Sequence, residues 1–220
     1  MIFYPAQRAI MDTGDMATGM QPPPALKSLR EISPNSFIFE QKRALPDFLC
    51  DNMVERFEHN RPDQYPGRIG QQAVSDTGVK HTTDLYVSGS ERRHWKDVDH
   101  NLHRSLALAL QDFRSVYPFF GGPFRDLGYN LQRYRPGEYY HWHVDGGSHE
   151  FADRQLVALW YLNDVPAAYG GSTDFLHQKL QVQPEKGKLI LFPPFWTHEH
   201  RAAVLSKGVK YIATTWVLFA

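Results

Sequence analysis

The chain has 220 residues, 42% of them hydrophobic and 22% charged, which is enough for one well-filled domain. Lys plus Arg and Asp plus Glu each number 24, and this balance gives no reason to expect a nucleic-acid or membrane-surface partner. The single cysteine, Cys50, excludes an internal disulfide framework, fits a reducing compartment, and reads as a buried small hydrophobe in Pro46-Asp-Phe-Leu-Cys50-Asp.

No run approaches the roughly 18 apolar residues that span a bilayer. Met1–Arg8 lacks the basic-then-apolar layout of a secretion signal. The expectation is a cytoplasmic protein with no membrane partner; the pattern leaves the oligomeric state open.

Residues 1 to about 35 contain Gly14, Gly19, Pro22, Pro23, Pro24 and Pro34 with little periodicity, which predicts a poorly ordered N-terminal arm. A short strand at Ser36–Glu40 closes it, and residues 36–220 are expected to form a single domain. From Asp47 to His59, apolar Phe48, Leu49, Met53, Val54 and Phe57 recur at helical spacing, with Asp47 or Asp51 as the N-cap. The segment Gly67–Arg93, rich in Gly, Ser and Thr and poor in apolar positions, predicts a mobile loop over a site. A second helix is predicted from about Asp97 to Val116, where Val98, Leu102, Leu106, Ala109, Leu110 and Phe113 repeat at three and four. Both helices fall in a supporting region over about 45–120.

From Gly128 the pattern changes. Tyr129–Tyr134, Leu156–Leu162, Leu189–Phe192 and Tyr211–Leu218 are short and rich in aromatic and β-branched residues. Pro136-Gly137, Gly146-Gly147, Gly170-Gly171 and Pro193-Pro194 punctuate them. This predicts a mostly β fold with supporting helices (α+β), its sandwich or barrel core lying over about 128–218.

The chemistry concentrates in Tyr134-Arg-Pro-Gly-Glu-Tyr-Tyr-His-Trp-His-Val-Asp145. In a strand, residues two apart point to one face, so His143 and Asp145 can aim at one ion while Val144 points away. His200, after the strand Leu189–Phe192, is a third donor arriving from elsewhere. Two imidazoles and one carboxylate suit divalent iron and leave coordination positions open, the 2-His-1-carboxylate facial triad. With 11 histidines in the chain, a His-x-Asp pair alone is weak, and order and context must carry the assignment.

That order resembles the 2-oxoglutarate and Fe(II)-dependent dioxygenase superfamily, in its prolyl 4-hydroxylase-like branch. The resemblance covers about residues 128–218, with a looser echo in Leu45-Pro-Asp-Phe-Leu-Cys-Asp and Lys80-His-Thr-Thr-Asp-Leu. The family's Tyr-x-x-Gly-x-x-Tyr-x-x-His-x-Asp falls on Tyr134, Gly137, Tyr140, His143 and Asp145. Its Tyr-Leu-Asn falls on Tyr161-Leu162-Asn163, its Gly-Gly on Gly170-Gly171, its His, Gly and basic residue on His200, Gly208 and Lys210, and its Thr-x-Trp on Thr214 and Trp216. This spacing favours His200 over His198 as distal ligand, with His198 remaining the competitor. It favours His143 over His141, and His141, His149 and His177 read as surface or supporting imidazoles.

The resemblance implies a double-stranded β-helix (jelly-roll, cupin-like) core with N-terminal helices packed on it. It implies Fe(II) as metal, 2-oxoglutarate as cosubstrate, O2 as oxidant and ascorbate as a stimulant. Lys210 would hold the distal carboxylate of 2-oxoglutarate, with Tyr134, Tyr161 and Thr214 as hydroxyl partners; a carboxylate ligand would also explain a lysine inside an apolar strand. The implied reaction is hydroxylation of an unactivated C–H bond coupled to decarboxylation of 2-oxoglutarate to succinate and CO2. Halogenases of the superfamily lack the carboxylate ligand, so Asp145 points to hydroxylation. The implied substrate is a prolyl residue in a peptide or protein, with a free amino acid or other small molecule as the alternative. Glu138, Tyr140, Trp142, Arg154 and Trp216 are candidate pocket residues. Two readings of other classes are a non-oxidative, cupin-like metal-binding protein and an inactive binding module; the complete triad and Lys210 argue against both.

Overall fold

The computed structural model describes residues 9–10, 28–70 and 72–220. Of the arm expected over 1 to about 35, residues 1–8 and 11–27 lie outside the described residues. In chain order the elements are β1 (Ala9–Ile10), β2 (Arg30–Glu31), β3 (Phe39–Gln41), α1 (Asp47–His59), β4 (Tyr65–Pro66), β5 (Lys80–His81), β6 (Thr83–Tyr86), α2 (Lys96–Val116) and β7 (Phe124–Asp126). Then follow β8 (Asn130–Tyr134), β9 (Tyr139–His143), β10 (Arg154–Tyr161), β11 (Thr173–Phe175), β12 (Leu180–Val182), β13 (Leu189–Phe192), β14 (His200–Ala202) and β15 (Lys210–Phe219).

The strands form two antiparallel sheets. The larger runs β2-β3-β13-β10-β15-β8-β6-β4, with β7 on the end of β15 and β1 on β7. The smaller runs β12-β11-β14-β9-β5. Together they make the expected jelly roll, a double-stranded β-helix.

Period-two patterning sorts the residues of the larger sheet. Leu85, Leu131, Ala158, Trp160, Leu189, Leu191, Ala213 and Val217 face the helices, where α1 buries Cys50, Met53 and Phe57, and α2 buries Leu102, Leu106, Ala109 and Phe113. The Trp160 indole donates to Ser105 Oγ at 3.0 Å, tying β10 to α2. The alternate residues Tyr134, Val157, Leu159, Tyr161, Ile190, Phe192 and Ile212 face inward, toward Phe175 and Val182 of the smaller sheet. Among the described residues no helix is long and apolar enough to cross a membrane.

Three local expectations change. Asp47 is the first helical residue and Pro46 takes the cap position without a side-chain cap bond, so Asp47 acts through its charge in the first turn. The strand expected at Ser36–Glu40 begins only at Phe39, because Asn35 and Phe37 take left-handed backbone at φ 61° and 55°. Gly67–Arg93 is not one loop: β5 and β6 lie within it. Their inward residues are polar, Asp84 and Tyr86, while Leu85 and Val87 face the helices, so the segment looked apolar-poor although it alternates like a strand.

Candidate metal and cosubstrate site

A cavity of about 360 Å³ opens between the sheets. His143 ends β9 and His200 begins β14, and these strands pair so that the two residues are cross-strand partners. Their ring centroids are 4.2 Å apart. Asp145 is not in the strand, as parity alone had suggested. The chain leaves β9 after His143, and the Asp145 and Gly146 amides both donate to Pro194 O, at 3.0 and 2.8 Å. Arg154 Nη1 donates to Asp145 O at 2.7 Å, fixing the same turn. Val144, expected to point away, lines the cavity.

One oxygen or nitrogen from each of His143, Asp145 and His200 lies within 4.8 Å of the others. His143 Nδ1 donates to His141 O at 2.7 Å and His200 Nδ1 to His198 O at 3.0 Å. A carbonyl only accepts, so each ring carries its proton on Nδ1 and presents the Nε2 lone pair. Burial, then the neighbouring His200, pushes the His143 imidazole down to about 3, so it is neutral at physiological pH. Burial pushes the Asp145 carboxyl up, but His200, His143 and Arg154 together outweigh it and hold the group below the usual carboxylate range. His200 Nε2 and Asp145 Oδ2 sit 3.3 Å apart. Two electron-pair donors at that distance need a cation between them, a proton or a metal ion. An octahedral ion with donors about 2.1 Å away spaces adjacent donors about 3 Å apart, so the set fits a divalent metal.

His198, the competing ligand, points elsewhere: its Nε2 donates to Ser36 O at 2.9 Å and its Nδ1 accepts from Thr197 Oγ1 at 2.8 Å. His141 is exposed, and His149 and His177 lie off the cavity lining.

Lys210 lines the cavity from β15 and is only 1% exposed. Its Nζ donates to Gly171 O at 2.8 Å and lies 4.2 Å from the Tyr134 ring centroid. Burial lowers the ammonium from 10.5 to about 7, against the nearby charge of Asp174. Tyr134 donates to Gln132 Oε1 at 3.1 Å, and burial pushes its phenol well up. Thr214 lines the cavity and accepts from Gln132 Nε2 at 3.2 Å. Tyr161 does not line it. Its hydroxyl is spent on Thr173 Oγ1 at 2.7 Å, and Thr173 takes its place on the wall.

Of the candidate pocket residues, Tyr140, Arg154 and Trp216 line the cavity, whereas Glu138 and Trp142 do not. A register shift between β9 and β14 is the reason: Tyr140, three residues from His143, comes to the same side and stacks on it at 3.6 Å. Trp142 instead lies under Arg201, 4.7 Å from its guanidinium, and Glu138 accepts from the Arg135 amide at 2.8 Å. The Arg154 guanidinium is sandwiched between Phe151 and Trp216, at 4.0 and 3.9 Å. Sequence reasoning missed Thr173, Gln132, and a group of buried Lys80 and Asp84 with half-buried Asn130 in the same cavity. The Gly-Gly before Thr173 and the Lys80–Leu85 echo were the available signals.

A jelly-roll cavity holding two imidazoles, one carboxylate and a buried ammonium has the donor set of the facial triad found in non-haem iron oxygenases. Residues 129–218 match the family model of the 2OG-Fe(II) oxygenase superfamily. Solved structures share the fold. The viral collagen prolyl hydroxylase of Paramecium bursaria Chlorella virus-1, in its 2OG complex, aligns with TM-score 0.64 and 19% identity, covering 86% of this chain and 99% of that one. A Pseudomonas putida prolyl-4-hydroxylase aligns with TM-score 0.62 and 18% identity, covering 83% and 92%. A Trichoplax adhaerens prolyl hydroxylase, in complex with a hypoxia inducible factor oxygen degradation domain peptide fragment, aligns with TM-score 0.63 and 15% identity, covering 84% of each chain. No curated protein matches the chain. Over residues 129–218 the chain matches the core of the 2OG-Fe(II) oxygenase superfamily, and its fold is prolyl 4-hydroxylase-like.

Proposed function

We propose that the protein hydroxylates an unactivated C–H bond of a prolyl residue in a peptide or protein, coupled to decarboxylation of 2-oxoglutarate to succinate and CO2. The observation that carries this reading is the presence of His143, Asp145, His200 and Lys210 in one cavity. Among the described residues the Lys210 ammonium has a backbone carbonyl, and no carboxylate, as its hydrogen-bond partner. A buried cation whose hydrogen-bond partner is neutral is costly, and a ligand carboxylate reduces the cost.

In this reading His143, Asp145 and His200 hold Fe(II), which when bound supplies the oxygen-activating chemistry. The remaining work belongs to the chain. The His141 and His198 carbonyls fix the ring orientations, and Arg154 with Pro194 fixes the Asp145 turn. Lys210 pairs with the distal carboxylate of 2-oxoglutarate, and Tyr134 and Thr214 offer it hydroxyl groups. Val157, Leu159, Phe192 and Ile212 give the pocket apolar walls that exclude water and strengthen that pairing.

The prolyl assignment is supported by the kind of proteins that share the fold. The test is a screen of proline-containing peptides and free amino acids for succinate release coupled to a +16 mass shift. Release with the shift on a peptide supports the proposal; a shift confined to free amino acids moves the substrate to that class, and no coupled release on any compound overturns it.

A further inference from the structure

The cavity holds a second buried ammonium that the reaction as described does not use. Lys80 is 4% exposed, and its Nζ donates to Asp84 Oδ2 at 2.7 Å. Asp84 also accepts from Asn130 Nδ2 at 3.0 Å and from Thr82 Oγ1 at 2.7 Å, so three donors fill most of its capacity. Asn130 in turn accepts from the Tyr65 hydroxyl at 3.0 Å. Lys80, Asp84, Asn130 and Tyr65 all line the cavity.

The group sits where the chain passes from the smaller sheet, at β5, to the larger one, at β6. Gly67 packs over it so closely that an added Cβ would lie 2.2 Å from Thr82 Oγ1 and 3.0 Å from Lys80 Cε. The lysine stem is thereby walled from solvent while its head meets the cavity. On the other side its Nζ lies 5.4 Å from the Tyr140 ring centroid, and Tyr140 stacks on His143. Lys80 is therefore one side chain away from the candidate metal ligands.

An ammonium has three N–H donors, and among the described residues Lys80 uses one. Its charge is already balanced by Asp84. A second carboxylate would leave a net negative charge in a dry pocket, which is costly, whereas a neutral carbonyl oxygen adds no charge and satisfies a spare donor. We propose that Lys80, neutralised by Asp84, is a specificity-determining residue that reads an amide carbonyl of the substrate and discriminates against a free carboxylate. This deepens the hydroxylase reading and rests on it for the reaction, though not for the binding preference.

The experiment is calorimetric titration of the full-length protein with Fe(II) and 2-oxoglutarate, without oxygen, using two probes: N-acetyl-L-proline methylamide and N-acetyl-L-proline. The wild type is expected to prefer the methylamide. Lys80→Met/Asp84→Asn, which removes both charges together, is expected to weaken the methylamide by about 10- to 100-fold while moving the free acid far less. The 2-oxoglutarate affinity of the variant should stay within about threefold, which a merely structural corner staple would not allow. Lys80→Arg, keeping a cationic donor, should recover part of the preference. Equal binding of the two probes, no binding of the methylamide, an unchanged preference in the double variant, or a parallel loss of 2-oxoglutarate affinity overturns the proposal. Succinate release by the wild type without any probe tests the enzyme reading separately, so its failure is distinguishable from failure of the Lys80 contact.

Discussion

His143 and His200 stand opposite each other on adjacent antiparallel strands, and each spends its Nδ1 on the carbonyl two residues before it. This shared device leaves two lone pairs converging beside Asp145. His143→Ala and His200→Ala should each abolish iron binding and succinate release. His198→Ala should retain both while losing about 1–3 kcal/mol of stability, because it empties the buried bond to Ser36 O. Iron titration and thermal melts check this, and loss of iron only in His198→Ala would overturn the assignment.

Lys210 should link 2-oxoglutarate binding to pH. Its ammonium, ordinarily near 10.5, is lowered to about 7 by burial, so the folded protein binds fewer protons than the unfolded chain between those values. Stability from this group therefore rises with pH across that window. The cosubstrate carboxylate favours the ammonium, so its affinity should be flat below about pH 7 and fall above it by up to about tenfold per unit. Titrations in buffers of different ionisation enthalpy should register proton uptake on binding. Lys210→Met should raise the 2-oxoglutarate requirement by about 10- to 150-fold with iron affinity retained.

Tyr161 and Tyr134 should separate. Tyr161→Phe removes a bond made from behind the cavity wall to Thr173, so it should cost about 1 kcal/mol of stability and shift the 2-oxoglutarate requirement less than about twofold. Tyr134→Phe should raise that requirement more than Tyr161→Phe does. The reverse order in steady-state kinetics would restore Tyr161 as an anchor.

A side chain at Gly146 would crowd the Asp145 turn, since an added Cβ would lie 3.1 Å from Pro194 Cβ and Cγ. Gly146→Ala should cost about 1–3 kcal/mol through overpacking and weaken iron binding by shifting the Asp145 turn. Iron affinity and melting temperature should fall together.

Cys50 is fully buried, and burial pushes its thiol up to about 12. It should resist iodoacetamide at pH 8 in the native protein and react readily in denaturant. Rapid native labelling would contradict that burial.

Much of this was legible in the sequence because it is written locally. The 3.6-residue repeat marked α1 at Asp47–His59, and the His-x-Asp pair and Lys210 carry their chemistry in residue type and spacing. What escaped depends on pairing between distant segments. The irregularity between β9 and β14 decides that Tyr140, and not Trp142, shares a side with His143, and it appears only once His200 has found its partner. Asp145 leaves the strand because Pro194 captures its amide. Lys80, Thr82 and Asp84 imitate a surface loop, since a polar cavity wall and a solvent face select the same residue types. Tyr161 has the inward parity its neighbours Val157 and Leu159 share, but parity does not report whether a hydroxyl is already spent.

One strand, β15, carries Lys210, Thr214 and Trp216 on the same inward face while hydrogen-bonding β10, β8 and β7. At about 3.3 Å per residue, Lys210 and Trp216 are held roughly 20 Å apart on a rod that cannot stretch. The cavity thus has a built-in ruler, with the ammonium end and the indole end graduated on one piece of backbone. Inserting one residue between them would turn every later mark to the wrong side, so this enzyme can change what it measures only by replacing marks, never by lengthening the scale.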